Sequence, residues 1–147
     1  MAIRSIVLRD IGGFKEWLSP GSLGGAYENT DIILRILLQQ KMVLYNPHVK
    51  AFHDRWLPPL QAGLHEIQYI RGQMTCYSYF YFQGFKFAKN TIRIPFQRFT
   101  ENLSSKFEQN TSNICVVFEL KLLISAIQGI ISGFIHAYKN PYLPHKR

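Results

Sequence analysis

Cysteine is scarce in this chain, and the two present, Cys76 and Cys115, lie far apart. No C-x-x-C spacing exists, so a zinc knuckle and a dithiol redox motif are excluded. A disulfide framework is not expected, and a reducing compartment is the default. The N-terminal stretch MAIRSIVLRDIGGF has no long apolar core and no cleavage site, so it does not read as a signal peptide. No internal repeat and no low-complexity tract occurs. Acidic residues are few: 9 Asp and Glu stand against 17 Lys and Arg. The resulting charge of +8 and pI near 9.7 point to an anionic partner, be it nucleic acid, an acidic lipid surface or a phosphorylated small molecule. What the chain does have is apolar content: at 47% hydrophobic over 147 residues it can bury the core of one ordinary domain.

Local patterning suggests the elements. Ile3, Ile6, Val7, Leu8 and Ile11 roughly follow helical spacing, with Gly12-Gly13 suited to close a short helix. FKEWLSPGSLGGAY reads as a loop from its Ser, Pro and Gly content. Asn29 or Thr30 suits the N-cap of a helix from Asp31, with Ile32, Ile33, Ile36 and Leu37 on one face. Asp31 and Arg35 stand one turn apart and can pair. KMVLYNPHVKAFHD reads as two short extended pieces around Asn46-Pro47. After Pro58-Pro59, residues 60 to 90 look helical and very aromatic. A less regular basic region reaches Thr100, and ENLSSKFEQNTSN reads as a polar loop.

The final apolar stretch, residues 114 to 138, is long enough to cross a bilayer. Glu119 and Lys121 interrupt it, and the clean run from Leu122 to Ile135 is short. A peripheral amphipathic helix or a buried packing helix fits better than a span. In YSYFYFQGFKF the aromatics are continuous and few cations interleave. That favours a packing or membrane-facing helix over a nucleic-acid stacking platform, so nucleic acid is not the expected partner. Lys86, Lys89, Arg93 and Arg98 around these aromatics suit anionic lipid headgroups.

Several segments, in order and at fitting spacing, resemble one family. RDIGGFKEWL is similar to an E-x-G-G-F-D-E segment, and GGAYENTDIILRIL to a G-G-E-D-x-D-L-x-x-R segment. VLYNPHVKAFH resembles a strand, a Tyr-x-Pro turn and a strand ending in histidine. The apolar C-terminal helix, with Gly129 and Gly133 before a basic tail, resembles a common ending. Together they look like the C-terminal half of a family-2 glycosyltransferase catalytic domain, the close match covering about residues 1 to 56. The resemblance implies an α/β fold: residues 1–58 would be the acceptor-side portion of a GT-A (nucleotide-diphospho-sugar transferase) fold, and residues 59–147 a helical, aromatic and basic extension.

The same resemblance implies transfer of a sugar from a nucleotide-sugar to a glycan, lipid or other acceptor, as in polysaccharide biosynthesis. A divalent cation, Mn or Mg, is expected for the intact enzyme. Glu28, Asn29 and Asp31 would be the catalytic cluster. The family usually has aspartate where Asn29 stands, and asparagine cannot take a proton, so Glu28 or Asp31 would have to act as base. The stereochemical course stays open. Helix capping alone also accounts for this cluster. His53 would be the metal ligand and Arg55 a contact to the diphosphate. Gly24 and Gly25 would let backbone approach the acceptor, and Trp17 would stack on a sugar face. Each of these has a plainer alternative in a loop turn, an exposed side chain or core packing. His48, His65, His136 and His145 have no partner spacing and are expected to be structural or exposed.

The family's donor half, with its Asp-x-Asp metal motif, has no counterpart in this sequence, and Met1 falls at an internal position of the pattern. A truncated reading frame, or a split gene with a separately encoded N-terminal half-domain, is therefore expected, with no activity from the chain alone. The expected location is cytoplasmic, on the inner face of the membrane if peripheral. A different class of function, a basic membrane-associated interaction protein without catalysis, accounts for the charge, the aromatic block and the final helix.

Overall fold

The computed structural model describes residues 2–22, 24–50, 57–108 and 113–142. They form five α-helices: α1 (Ser5–Asp10), α2 (Glu28–Leu38), α3 (Pro59–Phe82), α4 (Ala88–Glu108) and α5 (Asn113–Lys139). A short 3-10 turn at Glu16–Leu18 lies between α1 and α2. No strand occurs among the described residues, so the α/β expectation, with a GT-A portion over residues 1–58, is overturned.

The expected extended pieces show why. Met42, Leu44, Tyr45 and Val49 are exposed, and the chain around them turns only locally. His48 N–H donates to Asn46 Oδ1 at 3.0 Å and Val49 N–H to the Asn46 carbonyl at 3.2 Å. A β-strand needs a second strand to take up its backbone groups. No strand among the described residues is there to pair with them.

The basic region after residue 90 is also not irregular. It is α4, it contains Pro95, and it continues through the segment 101–108 that reads as a polar loop. Proline removes one N–H donor and usually kinks a helix. The capacity of Ala88, Ile94, Phe99 and Asn102 to pack against α3 and α5 outweighs that here.

α3, α4 and α5 form the body of the molecule. Ser125 of α5 meets Ile67 of α3, Gly129 meets Arg71 and Thr75, and Gly133 meets Thr75 and Tyr79. Ala137 then meets Gln83. Both series rise together, so α3 and α5 run parallel. α4, which joins them in sequence, runs back alongside: Ala88 clusters with Ala137 at one end, and Asn102 Nδ2 donates to Glu119 Oε1 at 3.0 Å towards the other.

Small residues set the α3–α5 spacing. A Cβ on Gly129 would lie 2.5 Å from the Arg71 carbonyl oxygen, and one on Gly133 would lie 2.6 Å from that of Thr75. The backbones touch, which leaves side-chain hydroxyls to bond backbone directly. Ser125 Oγ donates to the Ile67 carbonyl at 2.9 Å and Tyr79 Oη to that of Asn140 at 3.0 Å.

The N-terminal segments form a second layer. Ile11, Ile32 and Ile36 bury together with Ile3, Val7 and Leu8, joining α1 to α2. Leu18, with Trp17, Tyr27, Leu34 and Leu38 around it, packs on Cys76, Tyr79 and Phe80 of α3. One apolar cluster thus draws residues from both sides of the 58/59 boundary.

Candidate functional site

The start of α2 is not built as its sequence suggests. The helix begins at Glu28, and the preceding residue is Tyr27, at φ 133° with no side-chain cap. Glu28 Oε2 accepts instead from the Tyr27 N–H at 3.0 Å. Asn29 is exposed and Asp31 is fully buried. The three residues therefore share a helical turn without converging on one point.

Asp31, inside the first turn of α2, is held by two cations. Arg35 Nε donates to Asp31 Oδ2 at 2.8 Å, and Arg35 Nη2 donates to the same oxygen. Lys15 Nζ lies 3.4 Å from Oδ1. Arg35 reaches further, donating to the carbonyl of Ile11 and, at 2.7 Å, to that of Gly13. The pairing that the i, i+4 spacing predicts forms, and the same guanidinium also satisfies the carbonyls at the end of α1. A buried ion pair of this kind is favourable only when its remaining hydrogen-bond sites are filled, as Arg35's are.

Lys15 completes the centre from an aromatic cradle. Its Nζ sits 3.5 Å from the centroid of the Tyr79 ring and 5.1 Å from that of Trp17. Trp17 stacks flat on His136 of α5, centroids 4.2 Å apart, and tilts against Tyr79 at 5.2 Å. Both Lys15 Nζ and Asp31 Oδ1 are buried without a hydrogen bond and see each other only as charges.

The electrostatics follow from burial. Burial lowers the Lys15 ammonium from its ordinary value to about 8, the Arg35 charge adding to the effect and Asp31 opposing it. Tyr79 is pushed up to about 12, mainly by burial and then by the Asp31 carboxylate. Burial first, and Asp31 next, raises the Cys76 thiol, which is therefore an inert packing residue. His136 is lowered by burial, with Lys139 and Lys15 repelling its charged form.

A pH prediction rests on Lys15. Its folded value is depressed, so between pH 8 and 10.5 the unfolded chain binds more protons and stability rises with pH. Cys76 and Tyr79 are shifted upward, so their contributions begin to fall above their ordinary values of 9.0 and 10.0. Comparison with Lys15→Met isolates the lysine. The stability of the parent relative to the variant should grow by on the order of 2–3 kcal/mol from pH 7 to 10.5. Urea melts at both pH values measure it, and a constant difference would mean that Lys15 is solvated.

The glycines approach protein backbone. A Cβ on Gly24 would lie 2.0 Å from the Trp17 carbonyl oxygen. Gly25, at φ +86°, lies against the backbone of Gln68 and Gly72 in α3. Together they seat the loop before α2 onto the body. Trp17, Gly24 and Asp31 are thus brought into one neighbourhood, Glu28 and Asn29 lie at its edge, and His53 and Arg55 lie outside the described residues. Lys15, Tyr79 and His136 join this neighbourhood without any signal in sequence spacing, because they arrive from the residue before the 3-10 turn, from α3 and from α5.

The described residues do not offer a donor set that fits a divalent cation. Asp31 is committed to Arg35 and Lys15, and Glu28 accepts from backbone. Among the described residues no three His, Cys, Asp or Glu side chains converge. No family model, curated protein or solved structure matches the chain.

Proposed function

We propose that this chain is the acceptor-side part of a nucleotide-sugar-dependent glycosyltransferase, completed by a donor-binding part that carries the Asp-x-Asp motif. The observation behind this reading is the ordered succession of RDIGGFKEWL, GGAYENTDIILRIL and VLYNPHVKAFH at fitting spacing. The first two segments also meet in the folded chain, Lys15 of one facing Asp31 of the other and the Trp17 carbonyl lying against Gly24, which is consistent with this reading.

In such a transfer the acceptor oxygen bonds to the anomeric carbon, the bond from that carbon to the nucleoside diphosphate breaks, and the hydroxyl proton passes to a base. Asn29 has no basic atom to offer, and Asp31 is enclosed by cations. Glu28, half-buried at the N-terminus of α2, is left as the carboxylate for that proton. Asp31 then has a positioning role, locking the turn that carries Glu28 through Arg35 and Lys15.

The test is an antibody raised against the chain. It is expected to detect a polypeptide well above 17.1 kDa, or to co-precipitate an Asp-x-Asp-bearing polypeptide. That material should transfer labelled sugar from nucleotide-sugars, and Glu28→Gln should cut the rate by about 10²–10⁴-fold without changing expression. A chain found alone at 17.1 kDa, with no transfer activity, would overturn the reading. The competing reading, a basic membrane-associated interaction protein without catalysis, would then lead; one observation favours it, the exposed apolar face of α5.

A further inference from the structure

The outward side of α5 is apolar along almost its whole length. Leu120, Ile124, Ile127, Ile131, Phe134 and Tyr138 are all exposed, Ile124 and Ile131 by 54% each. Their spacing alternates between three and four, so they form one continuous stripe. At 1.5 Å per residue that stripe is about 30 Å long. Phe82 of α3 extends it sideways, its ring edge-on to Phe134 at 5.0 Å. A patch of this size on a soluble surface marks a place where something binds.

The charges beside the stripe say what binds. Lys121 and Lys139 are exposed and lie five helical turns apart, so they occupy the same border of the stripe. Gln128 falls on that border between them. The acidic residue of α5, Glu119, is buried on the opposite side against Asn102. Lys86 and Lys89 are exposed near the end where Lys139 and Phe82 lie. An apolar strip bordered by long cationic side chains, with no carboxylate on it, is the surface of a helix lying in a membrane interface. Lysine stems can follow the apolar face while the ammonium groups reach lipid phosphates.

We infer that this face of α5, together with Phe82, docks in the plane of an anionic lipid bilayer. A second copy of the chain is a poorer occupant: face-to-face stripes would oppose lysines with no carboxylate to neutralise them. A membrane span is also poorer. α4 packs along α5 and exposes Lys89, Arg93 and Arg98, which a span would drag towards hydrocarbon at several kcal/mol each. The inference is independent of the glycosyltransferase reading, since it needs neither nucleotide nor acceptor.

Vesicle flotation of the full chain tests it. Binding is expected to phosphatidylcholine vesicles containing phosphatidylglycerol and to be much weaker to phosphatidylcholine alone. Ile124→Glu with Ile131→Glu should lower partitioning by about tenfold or more, with helical circular dichroism unchanged. Lys121→Glu with Lys139→Glu touches only exposed groups and should remove the preference for phosphatidylglycerol, which keeps the test decisive if the isoleucine variant misfolds. Equal binding by parent and both variants would overturn the inference, as would no binding by the parent. A parent dimer that the isoleucine variant dissolves, with vesicle binding unchanged, would assign the face to a second copy. Resistance to alkaline carbonate extraction would assign it to a span.

Discussion

Asp31→Ala is expected to cost about 3–5 kcal/mol, a large part of the stability of a domain this size. The carboxylate is fully buried and faces two cations, Arg35 and Lys15. Its removal leaves both positive charges side by side in an apolar setting lined by Tyr79 and Trp17. Neither cation can simply swing out. Arg35 is held by the carbonyls of Ile11 and Gly13, and Lys15 is wedged over Tyr79. The loss should concentrate in α1, α2 and the 3-10 turn, because the body formed by α3, α4 and α5 does not use this carboxylate. Urea denaturation followed by Trp fluorescence and by circular dichroism would record it. A cost below about 1 kcal/mol, typical of exposed pairs, would mean that the centre is open to water.

The second large effect is expected at Gly133. In an ordinary helix, glycine to alanine is stabilising by roughly 1 kcal/mol. Here the new Cβ would meet the Thr75 carbonyl oxygen at 2.6 Å, Ser78 Cβ at 2.7 Å and the Tyr79 nitrogen at 2.8 Å. These are largely backbone atoms of a packed helix and cannot rotate aside. Gly133→Ala is therefore expected to destabilise by about 1–3 kcal/mol despite the gain in helix propensity, and Gly133→Leu by more. Gln128→Ala, on the exposed face of the same helix, should change stability by less than about 0.5 kcal/mol. Thermal melts of the three variants provide the comparison. A stabilised Gly133→Ala protein would mean that α3 and α5 are not in backbone contact.

What could be seen in the sequence, and what could not, divides by the range of the cause. The end of α1 was legible because Gly12 and Gly13, at φ +78° and +71°, act within the turn that they form. The Asp31–Arg35 pair was legible because helical spacing alone brings the two together. α3 and α5 were legible as long apolar segments. The extended reading of residues 41–50 failed because strand propensity is satisfied only by a partner strand, which none of the described residues supplies. α4 was obscured by Pro95 and by its polar final third. The start of α2 was misplaced because Asn29 and Thr30, good capping residues by type, lie inside the helix, which begins at Glu28 after Tyr27. The site followed the same rule. Glu28, Asn29 and Asp31 are close in sequence, yet nothing local says that one accepts from the Tyr27 N–H, one is exposed and one is buried. The grouping of Lys15, Trp17, Tyr79 and His136 spans three elements and exists only after they pack.

The parallel arrangement of α3 and α5 has a consequence for how the chain matures. Their bonds join residues 58 positions apart at Ser125 and Ile67 and 61 apart at Tyr79 and Asn140. On a ribosome, α3 emerges long before the helix that covers it. Met74, Thr75 and Ser78 then stay uncovered until α4 has turned back and α5 has followed. Contacts of such long separation slow folding, since the loop must close before any contact rewards it. The nascent chain therefore passes through an interval in which the face of α3 that meets α5 is bare, open to a chaperone or to premature association.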